Sequence, residues 1–150
     1  MEKGDRRGTL GQVPRMAFEI HPRLAEGGFE IGEIGGCHLL LKKNAVFPWF
    51  ILVPEVDVED PHELPAERYH EIMETQRLVC GFVSSHFKPE KLNTGCIGNM
   101  VRQMHLHIVG RSQGDPAWPG TVWAFDGKQA YTPEAAEEII SAARAWLEIH

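Results

Sequence analysis

Gln103-Met104-His105-Leu106-His107-Ile108-Val109-Gly110 decides how this chain is read. Polar and apolar residues alternate with a period of two, the pattern of a half-buried strand. Gln103, His105 and His107 therefore share one face, and Met104, Leu106 and Ile108 share the other. Residues two apart on a strand stand about 6.5 Å from each other, so one phosphoryl group could touch both imidazoles. The opposite face is plain core. The same spacing also fits two other readings. One is an incidental polar surface. The other is a zinc pair completed by Cys96, Cys37 or His38, for which no third ligand stands at a recognisable spacing. A divalent metal is compatible with the pair but not implied by it, and no cofactor is required.

Outward from this strand, the Gly27-Gly28 and Gly35-Gly36 pairs bracket Phe29-Glu30-Ile31-Gly32-Glu33-Ile34, which alternates like a half-buried strand. His38 to Lys42 reads as its hairpin partner. Trp49 to Val53 is a continuous apolar run between Pro48 and Pro54, suited to a central strand. Pro65 to Phe87 places Tyr69, Ile72, Met73, Gln76, Val79, Cys80, Val83 and Phe87 at helical spacing, which predicts one long helix with Cys80 as a small buried hydrophobe. Leu92 to Ile97 and Gln103 to Arg111 are two further strands joined by a short turn, Gly98 to Arg102. Thr132 caps a last helix that begins at Pro133, with Glu134, Glu137 and Glu138 near its positive end and Ala136, Ile139, Ile140, Ala143 and Leu147 on its inner stripe. Strands clustered before and after one long helix predict an α+β fold. Its antiparallel sheet carries the long helix, and the C-terminal helix is added to it.

The 150 residues suit one domain, assigned to 16–150, behind a flexible polar tail at 1–15. The 43% apolar and 24% charged composition is that of a soluble protein, and no run approaches the ~20 apolar residues of a membrane span. The N-terminus lacks the apolar middle of a secretory signal. Three cysteines without paired short spacing argue against a disulfide framework or a zinc ribbon, which leaves a reducing cytoplasm as the default location. A net charge of −6 repels polyanions, so long nucleic acid is not an expected partner and any phosphate must be held by local donors.

The segment His105-Leu106-His107-Ile108-Val109 resembles the end of the histidine-triad (HIT) signature His-φ-His-φ-His-φ-φ, where φ is apolar, with Gln103 in place of the first His. The resemblance runs from about Cys37 to Gly120 in the order of its elements. It implies a HIT-like antiparallel sheet with a helix packed on it, usually as a homodimer, and a small nucleotide conjugate as partner. It makes His105 the nucleophile that attacks the α-phosphorus and carries the nucleotidyl group, with His107 contacting the phosphate. Gln103 can still donate or accept at the first triad position but cannot become cationic. Relatives keep a Gly-rich loop and Gln-Ser/Thr ahead of the triad, where this chain has Gly98-Asn99-Met100-Val101. Asn99 stands for the Gln, and Met100 cannot replace the hydroxyl. Asn44 matches the Asp/Asn that contacts ribose, and reads equally as a turn residue. Trp49 stands where relatives usually keep a His that supports the site. Ala117-Trp118-Pro119-Gly120 resembles a HIT tail that either walls the site or packs, and Arg111 either meets a phosphate or ends in solvent. The activity implied is hydrolysis or nucleotidyl transfer on dinucleoside polyphosphates or nucleoside phosphoramidates. The alternative is a catalytically weak or inactive nucleotide-binding module of the same fold.

Overall fold

The computed structural model describes residues 18–150, so the tail assigned to 1–15 lies outside the described residues. Five strands form one antiparallel sheet: β1 (Gly28–Ile34), β2 (Cys37–Lys42), β3 (Trp49–Pro54), β4 (Lys91–Gly95) and β5 (Leu106–Arg111), in the order β1-β2-β3-β5-β4. A short helix α1 (Pro22–Glu26) precedes the sheet, the long helix α2 (Ala66–Phe87) separates β3 from β4, and α3 (Pro133–Leu147) closes the described chain. This is the α+β arrangement expected. Among the described residues, no helix is long and apolar enough to cross a membrane.

The two faces of the sheet hold two separate cores. One gathers Leu39, Leu41, Phe50, Leu52, Met104, Leu106 and Ile108 beneath α2 and α3. The other gathers Leu40, Trp49, Ile51, Val53 and Val109 beneath the short α1, which contributes Leu24, and loops and turns that contribute Phe47, Val101 and Val122. The apolar stripe of α3 is buried at all five expected positions, with Thr132 Oγ1 accepting from the Ala135 amide at 3.1 Å.

The inner face of α2 is rotated from its expected setting. Tyr69 is 38% exposed, while Arg68, Thr75 and Phe82 are buried. The reason lies at the β1–β2 turn. Gly35 and Gly36 adopt φ of 57° and 70°, where glycine has no steric penalty, and leave two carbonyls facing the helix. Arg68 donates to both, to Gly35 O at 3.0 Å and Gly36 O at 2.8 Å, so a charged side chain takes a place that apolar periodicity reserves for a hydrophobe.

Strand β5 begins at Leu106, three residues later than expected, and β4 ends at Gly95. The connection between them therefore runs through residues 96–105 rather than through a short turn at 98–102. Gln103 consequently lies before the strand, which changes where its side chain goes.

Candidate functional site

The imidazoles of His105 and His107 lie edge to face with ring centroids 4.9 Å apart, beside a cavity of about 460 Å³ on the loop-covered face of the sheet. The register explains the second ring. His107 pairs with Ile51 of β3, which sets it next to Trp49 two residues along the same face. His105 sits just ahead of β5, below Val101 and the 96–105 connection. Both rings are buried, at 6% and 7% exposure, yet both line the cavity.

Their hydrogen bonds assign opposite proton positions. Nδ1 of His105 lies 2.7 Å from the carbonyl oxygen of Gln103, and a carbonyl only accepts, so Nδ1 carries the proton and Nε2 keeps its lone pair. The Trp49 indole Nε1–H donates to His107 Nδ1 at 2.9 Å, and an indole N–H only donates, so in neutral His107 the proton sits on Nε2. Burial holds both rings below the ordinary imidazole value. It lowers His105 with help from the nearby Lys42 charge, against the opposing Gln103 carbonyl. His107 is pushed down to about 3 by burial, then by His105 and Lys42. The site thus presents one imidazole lone pair beside one imidazole N–H donor, both uncharged at neutral pH.

Trp49 was expected as the loss of a supporting imidazole. It instead supplies that support itself, 5.7 Å from His107 between ring centroids. The sequence signal for this was present, since Trp49 and Ile51 share a strand face, but it becomes readable only once β3 and β5 are paired.

The remaining predicted residues divide. Gln103 turns its amide away from the imidazoles. Nε2 donates to Glu19 O at 2.9 Å, Oε1 accepts from His21 N at 2.8 Å, and only its main-chain carbonyl touches His105. Asn44 lines the cavity, yet its Oδ1 accepts from Val46 N and Gln129 N and its Nδ2 donates to Gly127 O, each at 3.2 Å. It therefore has the turn role and also clasps a distant segment. Asn99 and Met100 sit exposed on the rim. Arg111 is not in solvent but 2% exposed, clamped by Asp115 at 2.7 and 3.0 Å and by Asn93 Oδ1 at 2.9 Å. The guanidinium holds the Asp115 carboxyl down at about 2. Trp118 packs near that guanidinium, 5.9 Å away, and does not line the cavity. The aromatic walls are Trp49, Trp123 and Phe125, and the last two were missed because they lie in chain without periodicity.

The residues considered for a zinc site do not converge on the imidazole pair. Cys37 is buried at the hairpin with its thiol pushed up to about 11 by burial, and His38 bonds Glu55 at 2.8 Å. The Cys96 thiol is raised by burial. Among the described residues, the group whose metal-capable atoms converge is Glu33, His38 and Glu55, and it contains neither cavity imidazole.

Comparison with known proteins follows the geometry. A family model described as HIT domain matches residues 28–114. A histidine triad (HIT) protein from Sinorhizobium meliloti 1021 is 32% identical, with a TM-score of 0.86 over 89% of this chain and 100% of that one. A histidine triad protein from Bradyrhizobium japonicum is 32% identical, with a TM-score of 0.84 over 87% and 98% of the two chains. One from Marinobacter aquaeolei VT8 is 36% identical, with a TM-score of 0.83 over 87% and 96%. No curated protein matches the chain.

Proposed function

The chain belongs to the HIT family, a family of nucleotide-binding hydrolases and transferases, and from that membership we propose that it acts on the α-phosphorus of a nucleotide conjugate through a covalent nucleotidyl-His105 intermediate. The observation that carries this reading is the opposed protonation of the paired rings. A carbonyl holds His105 with Nε2 bare, and an indole N–H holds His107 with Nε2 protonated.

The His105 Nε2 lone pair forms a bond to phosphorus as the bond from phosphorus to the leaving group breaks, and the leaving group departs with that electron pair. His107 Nε2–H donates to a phosphoryl oxygen as negative charge builds there. Burial keeps that donor neutral and excludes water from around it. Water, or a second phosphate, then attacks the same phosphorus. The N–P bond breaks with its electron pair returning to His105 Nε2, and the proton of the attacking group passes to solvent. Nucleoside phosphoramidates and dinucleoside polyphosphates are the conjugate classes this chemistry serves.

Trapping decides the matter. With a panel of labelled dinucleoside polyphosphates and nucleoside phosphoramidates, an acid-labile, alkali-stable adduct is expected on the wild type and not on His105→Ala. No adduct and no turnover across the panel would overturn the reading. The second reading, a nucleotide-binding module without turnover, draws on the Gln103 amide being committed to Glu19 and His21 rather than to the site. Micromolar nucleotide binding by calorimetry, with no turnover, would favour it.

A further inference from the structure

The cavity carries charge that the phosphoryl-transfer step does not use. Arg23, Lys42 and Lys128 line it, and it has no carboxylate among its described lining residues, although Asp and Glu outnumber Lys and Arg by 21 to 15 in the chain. None of the three cations makes an ion pair or a side-chain hydrogen bond among the described residues. Lys42 is half-buried at the end of β2, with Nζ 4.9 Å from the centre of the Trp49 ring, the same indole that orients His107. A lysine withdrawn from water is ordinarily matched by a carboxylate, and Lys42 has an aromatic face instead. Its ammonium is held below the usual lysine value by burial and then by the Lys128 charge. Two like charges held together beside an open volume describe a place prepared for an anion.

Two polar side chains hold the segments that bring the other cations there. Asn44, buried, grips the chain on both sides of Lys128, donating to Gly127 O and accepting from Gln129 N. Gln103 grips Glu19 and His21, His21 Nδ1 accepts from the Arg23 amide at 3.1 Å, and Leu24 is buried behind it. Both side chains were expected to touch the ligand. Both are spent on backbone that carries a cation to the cavity.

We propose that Arg23, Lys42 and Lys128 form a second anion subsite in the imidazole cavity, so that the ligand of this chain carries a further phosphate group beyond the phosphorus presented to His105, with Asn44 and Gln103 as positioning residues. The proposal rests on the reading above for the place of the first phosphorus. Two lysines supply point charges and Arg23 a guanidinium fork, which together suit a multiply charged phosphate chain better than a single carboxylate.

The test uses inorganic orthophosphate, pyrophosphate and tripolyphosphate, which carry no base, titrated calorimetrically into the full chain. Tripolyphosphate is expected to bind at least about tenfold more tightly than orthophosphate at low salt, with the gap narrowing as salt is added. Lys42→Met combined with Lys128→Met should erase the gap, Lys42→Arg should keep it, and Lys128→Gln alone, on an exposed segment, should reduce it. Arg23→Ala should reduce it as well. Gln103→Ala should reproduce that loss and add nothing on top of Arg23→Ala. Equal affinities for the three phosphates, or a gap that survives the double methionine variant with an unchanged melting temperature, would overturn the subsite. A gap that depends on the lysines without any His105 adduct would keep the subsite and remove the catalytic reading. An adduct without a gap would do the reverse.

Discussion

The two faces of the central sheet are built from the same strands and do opposite work. On one face Met104, two residues ahead of β5, joins Leu106 and Ile108 of that strand in facing two helices, and the face is sealed. On the other, one residue out of step, the same run presents His105 and His107 to irregular chain, and a cavity remains. A helix satisfies its own backbone and offers a continuous apolar stripe, so it can close over a sheet without gaps. Loop segments must spend side chains on their own backbone groups, as Asn44 and Gln103 do, and the space left between them is where ligands enter. The contrast teaches that two buried imidazoles are tolerated on this strand because the sealed face carries the stability.

Substitutions on the two faces should therefore separate. His105→Ala is expected to lower turnover by about 10³-fold or more while leaving the melting temperature close to wild type, measured by steady-state kinetics beside calorimetry. Ile108→Ala, three residues along and fully buried on the other face, should cost about 2–5 kcal/mol of unfolding free energy in urea while the folded fraction keeps its KM. If Ile108→Ala abolished activity in fully folded protein, the separation of the faces would fail.

Trp49→Phe keeps an aromatic ring of smaller size but removes the N–H that fixes His107. A loss of about 10- to 100-fold in kcat with KM little changed is expected, as for other groups that orient a reacting side chain. An equal loss in Trp49→Ala and Trp49→Phe would assign the effect to the hydrogen bond, whereas a loss confined to Trp49→Ala would assign it to packing.

Acid should reach the imidazoles before it reaches Asp115. Both imidazoles are held below their ordinary 6.5, His107 at about 3, so between those pH values the unfolded chain binds more protons than the folded one. Stability from these groups is complete above 6.5 and is lost as pH falls toward 3, with a slope of up to about 1.4 kcal/mol per pH unit for each proton. Asp115, at about 2, keeps its contribution until pH falls below 3.8. Urea melts of wild type and His107→Gln from pH 4 to 7 check this, with the smaller slope expected in the variant. In the same range the acid limb of kcat/KM should have its midpoint below 6.5, because His105 stays neutral under it.

The smallest effect is expected from Gln103→His. The Gln103 amide is bonded to Glu19 and His21 and is turned from the cavity, so a third imidazole there does not complete a triad and turnover should not rise. A clear gain would show that the segment it holds can be released without cost.

Much of the fold was legible because periodicity is a local property. Alternation marked β1 and the two faces of β5, a continuous apolar run marked β3, and all five inner positions of α3 were found from spacing alone. The start of β5 was misplaced because alternation continues through Met104 and His105, where no partner strand accepts the backbone. The inner face of α2 was misread at Tyr69 and Arg68 because the deciding partner, a glycine turn with open carbonyls, lies more than thirty residues away.

By itself the sequence determined that His105 and His107 share a face, that Met104, Leu106 and Ile108 belong to core, and that the chain is α+β, since each follows from side-chain spacing on an element. Only the tertiary structure decided which polar groups meet. Trp49 reaches His107 across 58 positions, and Gln103 reaches His21 and Glu19 across 82 and 84. Hydrogen bonds act over about 3 Å, so they depend on strand register and loop path, which no local pattern encodes.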